Sequence, residues 1–304
     1  MNLCDFLEEN KIEFKLDESL SNQTNFRIGG KAKVVCFPSK ISSLVRLLKY
    51  LSHTHTKFFV IGNGTNLLCS DYGYDGLVVK LSKLKGYRVE NNLLWANAGI
   101  NLFELNKIAL EHELSGLEFS YGIPASVGGA VSMNAGAFGQ SMADIIKYVK
   151  IFDGKKIVTI KYQDLDLQYR HSVIQERDWV VLGAMFELKK SIAENIKNAM
   201  KKNLDYRKQT QPYGFASAGS VFKRLSGGEI PVSKMIDQSG LKGKTIGEAS
   251  VSTIHAGFIV NNGKATCKDV LNLIKYIVRK LETGFGVSPE LEIKLLGEND
   301  GITW

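Results

Sequence analysis

"EFSYGIPASVGGAVSMNAGAFGQS", residues 118–141, holds five glycines, four alanines and a single charged side chain, Glu118. The stretch is too apolar for a surface linker and lacks the regular apolar stripe of an ordinary helix. A backbone this bare lets something approach closely, either another backbone or a ligand. Amides at a helix start, freed of bulky side chains at Gly122, Gly128, Gly129 and Gly136, can hold a pyrophosphate. A close contact of helix on sheet accounts for the same residues equally well. Asn134 is the lone side-chain amide in the segment.

Upstream, "VIGNGTNLLCSDYGYDG" (60–76) runs a strand into Gly62-Asn63-Gly64-Thr65-Asn66. Glycine permits positive φ, so successive N–H groups can form an anion-binding nest. This is neither a Rossmann fingerprint, since Leu67 stands in place of the third glycine, nor a P-loop, since no Gly-Lys-Ser/Thr follows. A tight turn without further role remains open. Two such glycine segments in one chain favour a dinucleotide, which needs an extended floor poor in side chains.

Downstream, three further stretches could carry chemistry. In "LQYRHS", Arg170 between Tyr169 and Ser172 could grip a carboxylate or phosphate with two hydrogen bonds, or be a surface residue. In "SAGSVFKR", small residues ahead of a strand could expose Ser220, with Lys223 and Arg224 just after it. His255 could serve it as a base, although no spacing supports a triad. Near the end, Glu290 and Glu292 flank Leu291. Strand alternation would put both on one face, as exposed residues or as a functional pair.

The periodicity predicts mixed α and β structure in two lobes. Helices are expected over 2–10, 39–51, 102–114 and 191–209, with Asn101 capping the third. Strands are expected at "KFFVIG", "DGLVVKL", "LLWANAG" and "DWVVLGAMFEL", with a hairpin at Asp153-Gly154. The pattern resets at "TQPYGFASAGS". Beyond it come a short helix behind Pro231, a strand at "HAGFIVN", an amphipathic helix capped by Thr266, and a closing strand "ELEIKLLG".

Bulk numbers bound the function. A chain of 304 residues suits about two domains. Thirty-nine Lys and Arg against 31 Asp and Glu give +8, spread along the chain rather than clustered, so small anions fit better than nucleic acid. Four scattered cysteines and no export signal at the acidic N-terminus imply a reduced, cytoplasmic setting. No apolar run is long enough for a membrane span. His53 and His55 lack further ligands, so no metal is expected.

Taken together, "NQTNFRIGGKAK", "VIGNGTNLL", "GIPASVGGAVSMNAGA", "YRHS", "SAGSVFK", "GLKG", "VSTIHAGFIVN" and "FGV…LEIKLLG" resemble the UDP-N-acetylenolpyruvoylglucosamine reductase family, in its order and over residues 20 to 297. The compact length is similar to the family's shorter type, which lacks an extra substrate-covering loop. The resemblance implies an α+β architecture. A two-part FAD-binding module of the vanillyl-alcohol-oxidase type would span 1–205, with lobes of roughly 1–70 and 71–205. A substrate-binding domain would span 206–304, its terminal strand returning to the active site. It implies FAD held by Arg27, Gly62, Asn63, Gly64, Thr65, Asn66, Gly122, Ile123, Pro124, Ser126, Gly128, Gly129, Asn134, Ala135 and Gly136. It implies catalysis by Arg170, Ser220 and Glu292, with Tyr169, Lys223 and Arg224 on the substrate. NADPH and a UDP-sugar would share one site, and no protein partner is required. The match departs at Ala125-Ser126, at Arg224, in "LSGGEIPVSKMID" and at Pro289. A hydroxy-acid or alcohol oxidase on the same fold, and a non-catalytic nucleotide binder, are the alternatives.

Overall fold

The computed structural model describes residues 2–177, 179–225 and 230–298, so part of the departing stretch "LSGGEIPVSKMID" lies outside the described residues. The chain divides into two compact units. The first comprises Met1–Leu16, Val34–Asn63 and Gly76–Tyr206; the second comprises Asp17–Lys33, Gly64–Asp75 and Arg207–Trp304. The division at 206/207 falls inside helix Ala193–Thr210, four residues before the start of "TQPYGFASAGS" at Thr210. Nothing in composition marks 17–33 and 64–75 as companions of the C-terminal residues.

In the first unit, helix Ile41–His53 buries Ser43, Leu44, Leu47, Leu48 and Leu51, an apolar face at helical spacing. Strand Phe58–Ile61 pairs in parallel with Tyr74–Lys80, in a four-stranded sheet that also holds Glu13–Ser19 and Lys31–Phe37. Strand Glu13–Ser19 was not expected, because five of its seven residues are charged or hydroxylated and mask the alternation of Phe14 and Leu16. A second sheet is antiparallel, in the order Ile157–Lys161, Ile146–Phe152, Val180–Glu187, Leu93–Asn97 and Tyr87–Glu90. Its buried Val149, Ile151, Leu182, Ala184 and Phe186 join Leu94 and Ala96 in one core.

Local chemistry fixes the corners. Asn101 caps helix Leu102–Glu111, its Oδ1 accepting the Glu104 N–H at 2.7 Å. Asp153 makes the predicted hairpin by accepting the N–H groups of Lys155 and Lys156 at 2.8 and 2.7 Å, with Gly154 at φ 96°. Those backbone bonds hold the Asp153 carboxyl below the usual carboxylate range.

In the second unit, strands Ala216–Ser220, Phe258–Asn261, Ala249–Val251 and Thr245–Ile246 form an antiparallel sheet in that order. Helix Cys267–Phe285 starts at a Thr266–Asp269 capping box and ends at Gly286, φ 67°. Val270, Leu271, Ile274, Ile277 and Leu281 bury its apolar face. Asp71 adds a second cap, accepting the N–H groups of Cys267 and Lys268 at 2.8 and 3.1 Å.

The closing strand is shorter than predicted. Only Lys294–Leu296 is ladder-paired, in parallel with Leu67–Cys69. Residues 290–293 make a single bridge, Leu291 to Phe222, instead of a strand. Glu290 and Glu292 flank that bridge, the Glu290 carbonyl accepting from Lys223 and the Glu292 N–H donating to Val221; Glu290 is exposed and Glu292 half-buried. Among the described residues, no helix is long and apolar enough to cross a membrane.

Candidate active site

The glycine-rich stretch packs tightly within the first unit. Ser126 is the N-cap of the short helix Val127–Ser132. A Cβ on Gly128 would lie 3.0 Å from the Ala98 Cβ and 3.3 Å from its carbonyl oxygen. The Val127 and Gly128 N–H groups donate to Ile100 and Ala98 carbonyls at 2.8 and 2.9 Å, and Gly129 donates to Ser126 Oγ at 3.3 Å. The first turn of this helix thus has its amides engaged, and the side-chain-free positions let it sit against neighbouring backbone. Gly136 packs likewise on the Gln140 carbonyl. Gly129 is more open, since a Cβ there would meet only Ser126 Oγ, at 3.5 Å.

Around it, Gly122 is buried at φ 90°, a backbone region that L side chains adopt with strain. Ile123 turns the chain by donating its N–H to Ser120, and the exposed Pro124 accepts from Asn63 Nδ2 at 2.7 Å. Gly62 lies against Ser126, where any Cβ would collide with the hydroxyl. Ala135 donates back to Ala130 at 2.8 Å. Asn134 is buried, and its side chain accepts from the Ala143 N–H at 3.0 Å and donates to the Gln168 carbonyl at 2.8 Å.

That last bond braces the loop bearing Arg170, which lies in the left-handed region at φ 54°. Its guanidinium is half-buried, stacks 5.1 Å above the exposed Tyr169 ring and donates to the Gly136 carbonyl at 3.5 Å. An arginine held this way presents a permanent cation with a planar donor fork.

In the second unit, the Gly64, Thr65 and Asn66 N–H groups donate to no protein group among the described residues. Gly64 is buried at φ 68°, with the Gln23 carbonyl 2.5 Å from where a Cβ would sit, so only glycine fits. Three consecutive uncommitted amides beside a left-handed glycine suit an oxyanion, and so fit a phosphate-bearing cofactor. Arg27, exposed and also left-handed at φ 56°, donates its N–H to Thr24 at 3.3 Å.

The same unit gathers the remaining candidates through its backbone. Ser220 ends strand Ala216–Ser220, pairs with Phe258, and directs its hydroxyl to the Phe222 carbonyl at 3.3 Å. The Glu292 N–H donates to the Val221 carbonyl at 2.8 Å, one residue beyond Ser220. The Glu292 carbonyl accepts from Asn66 Nδ2 at 2.9 Å, and the Asn66 carbonyl accepts the Lys294 N–H at 2.9 Å. A serine, a glutamate and the uncommitted amides are thus joined by three hydrogen bonds. Lys223 is ion-paired with Glu290 at 2.9 Å, and that lysine draws the exposed Glu290 carboxyl below its ordinary value. Arg224 is exposed.

His255 is not a base for Ser220. Its Nδ1 accepts the Gly257 N–H at 3.1 Å, its ring meets Phe258 edge-on at 5.1 Å, and burial holds its pKa below the ordinary value. Cys36 and Cys69 are buried thiols pushed up to about 12 by desolvation, and so are poor nucleophiles. Among the described residues, no cluster of His, Cys, Asp or Glu could hold a metal ion.

Known proteins define the class first. Residues 32–159 match a family described as an FAD binding domain. Residues 211–296 match the C-terminal domain of UDP-N-acetylenolpyruvoylglucosamine reductase. The chain is 43% identical over 297 residues to the UDP-N-acetylenolpyruvoylglucosamine reductase of Caldanaerobacter subterraneus subsp. tengcongensis, covering 97% of each. It is 40% identical over 289 residues to that of Pseudothermotoga lettingae, covering 95% of this chain and 100% of the relative. The solved structure of the reductase from Thermus caldophilus superposes with a TM-score of 0.79 at 33% identity, covering 94% of this chain and 99% of that one. The chain belongs to the UDP-N-acetylenolpyruvoylglucosamine reductase family.

Proposed function

We propose that this chain reduces UDP-N-acetylglucosamine enolpyruvate to UDP-N-acetylmuramate with NADPH, through bound FAD, in peptidoglycan synthesis. Family membership supports the reaction, and the bonded grouping of Asn66, Val221 and Glu292 supports the assignment of residues. FAD, when bound, supplies the two-electron relay between NADPH and C3 of the enolpyruvyl group. The amides of Gly64, Thr65 and Asn66 take its pyrophosphate, with Gly62, Asn63 and Arg27 flanking. The wall from Gly122 to Gly136 gives the room its rings need, with Gly129 as its most open position.

Arg170 holds the substrate carboxylate with its fork of donors as negative charge builds there. Glu292 polarises the same group. Ser220 Oγ delivers a proton to C2, a step within reach of a hydroxyl because an enolate is strongly basic. Hydride at C3 and proton at C2 together account for the two hydrogens gained. Tyr169, Lys223 and Arg224 bind the rest of the sugar nucleotide, which follows NADPH into one shared site. The substrates are cytoplasmic metabolites, and the chain works there.

An absorbance spectrum of the purified protein tests this. Flavin bands should bleach with NADPH and return when the enolpyruvyl sugar nucleotide is added. Bleaching that this substrate cannot reverse would point to an oxidase of another substrate, and a colourless protein that takes up no FAD would point to a binding protein.

A further inference from the structure

Arg170 is bulky, yet its backbone sits at φ 54°, a region such residues occupy only when their surroundings over-determine it. The source of that constraint is visible. Gln175, which no reading of the sequence singled out, donates from Nε2 to the Arg170 carbonyl at 3.0 Å and to the Ser132 carbonyl at 2.9 Å. Both partners are acceptors, so only the amide nitrogen can face them; a flipped amide would set oxygen against oxygen. Ser132 is the last residue of helix Val127–Ser132, whose terminal carbonyls have no partner inside the helix. The fully buried Ser172 donates to the same carbonyl at 2.6 Å. Gln175 thereby fastens the Arg170 backbone to the end of the glycine-rich helix, while the 170 side chain stays half-buried.

We infer that Gln175 is a positioning residue: by bridging the Arg170 and Ser132 carbonyls it holds Arg170 in the left-handed conformation from which its guanidinium meets the substrate carboxylate. This rests on the proposed role of Arg170. The Gln175 amide bonds the Arg170 carbonyl, so its effect on the guanidinium passes through the backbone of residue 170.

A double-mutant cycle on the FAD-loaded enzyme tests it, with the reoxidation rate of NADPH-reduced flavin by the enolpyruvyl sugar nucleotide as readout. In the otherwise native enzyme, Gln175→Ala should slow reoxidation about tenfold, as expected when a bonded neighbour is released. In the Arg170→Ala background the same change should cost less than about twofold, because coupled residues are not additive. Flavin content should stay the same throughout. If Gln175→Ala folds poorly, Gln175→Glu keeps the volume and removes both donors, and should show the same non-additive loss. An equal loss in both backgrounds, or none in the native one while Arg170→Ala is impaired, overturns the positioning role alone. A native rate in Arg170→Ala overturns the role of Arg170 and this inference with it.

Discussion

The two units hold their candidate residues by different physical means. In the first, Arg170 stands on a left-handed turn clamped by side chains: Asn134 on the Gln168 carbonyl, Gln175 on its own carbonyl, Ser172 on the helix end. In the second, Ser220 and Glu292 are held by main-chain pairing, Ser220 with Phe258 and Glu292 with Val221. A side-chain clamp fails when one residue is replaced, whereas a backbone ladder survives most substitutions. Function in the first unit should therefore be fragile to changes remote from the reacting atoms, and in the second sensitive mainly to the acting residues themselves.

The sharpest way to break that contrast is Arg170→Ala. Loss of a charge stabiliser typically costs about 10²–10³ in rate, so steady-state turnover of the sugar nucleotide should fall by that much while FAD is retained. Release of the flavin would move Arg170 into the cofactor site. Next comes Asn134→Ala, which frees the Gln168 carbonyl and leaves the Ala143 N–H without its partner. Each lost hydrogen bond is worth about 0.5–1.5 kcal/mol, and denaturant unfolding should show the loss together with slowed turnover. In the second unit, Asn66→Ala removes one bond to the Glu292 carbonyl while the Val221 ladder bond remains. It should weaken FAD binding more than it alters the rate of the flavin-saturated enzyme, as a titration would reveal.

Smaller effects belong to residues outside both sites. Asn101→Ala removes a helix cap and should lower stability by about 1 kcal/mol in chemical denaturation. His255 has its pKa lowered from the ordinary 6.5, chiefly by burial. The unfolded chain thus binds the proton first as pH falls, so its contribution is present above about 6.5 and is lost below that. Thermal midpoints measured from pH 7.5 to 5.5 should decline, and less so in His255→Gln; an identical slope would remove His255 as the cause.

Much of this was legible in advance. Capping signals at Asn101 and Thr266, the Asp153-Gly154 turn and the apolar spacing of 41–51 are local and report themselves in sequence. The motif order gave the family. The glycines of 122–136 were read as a ligand floor or a packing surface, and Gly128 and Gly136 serve packing. Such a distinction depends on where Ala98 and Gln140 lie, which no local pattern encodes. Gln175 was invisible for a related reason: one glutamine in a polar loop carries no signal until its two carbonyl partners, one of them 43 residues away, are known. The closing strand reads longer in sequence than its ladder because a strand pattern in isolation cannot tell a ladder from a single bridge.

The central claim is that Ser220 donates the proton at C2 while having no part in the flavin's reduction. Stopped-flow absorbance of the FAD-loaded Ser220→Ala variant tests it in two halves. The account predicts that NADPH bleaches the flavin within about twofold of the native rate, while recovery of the bands on adding the enolpyruvyl sugar nucleotide slows by about 10² or more, the scale of losing a positioned proton donor. Recovery at the native rate, or bleaching impaired as severely as recovery, would contradict it.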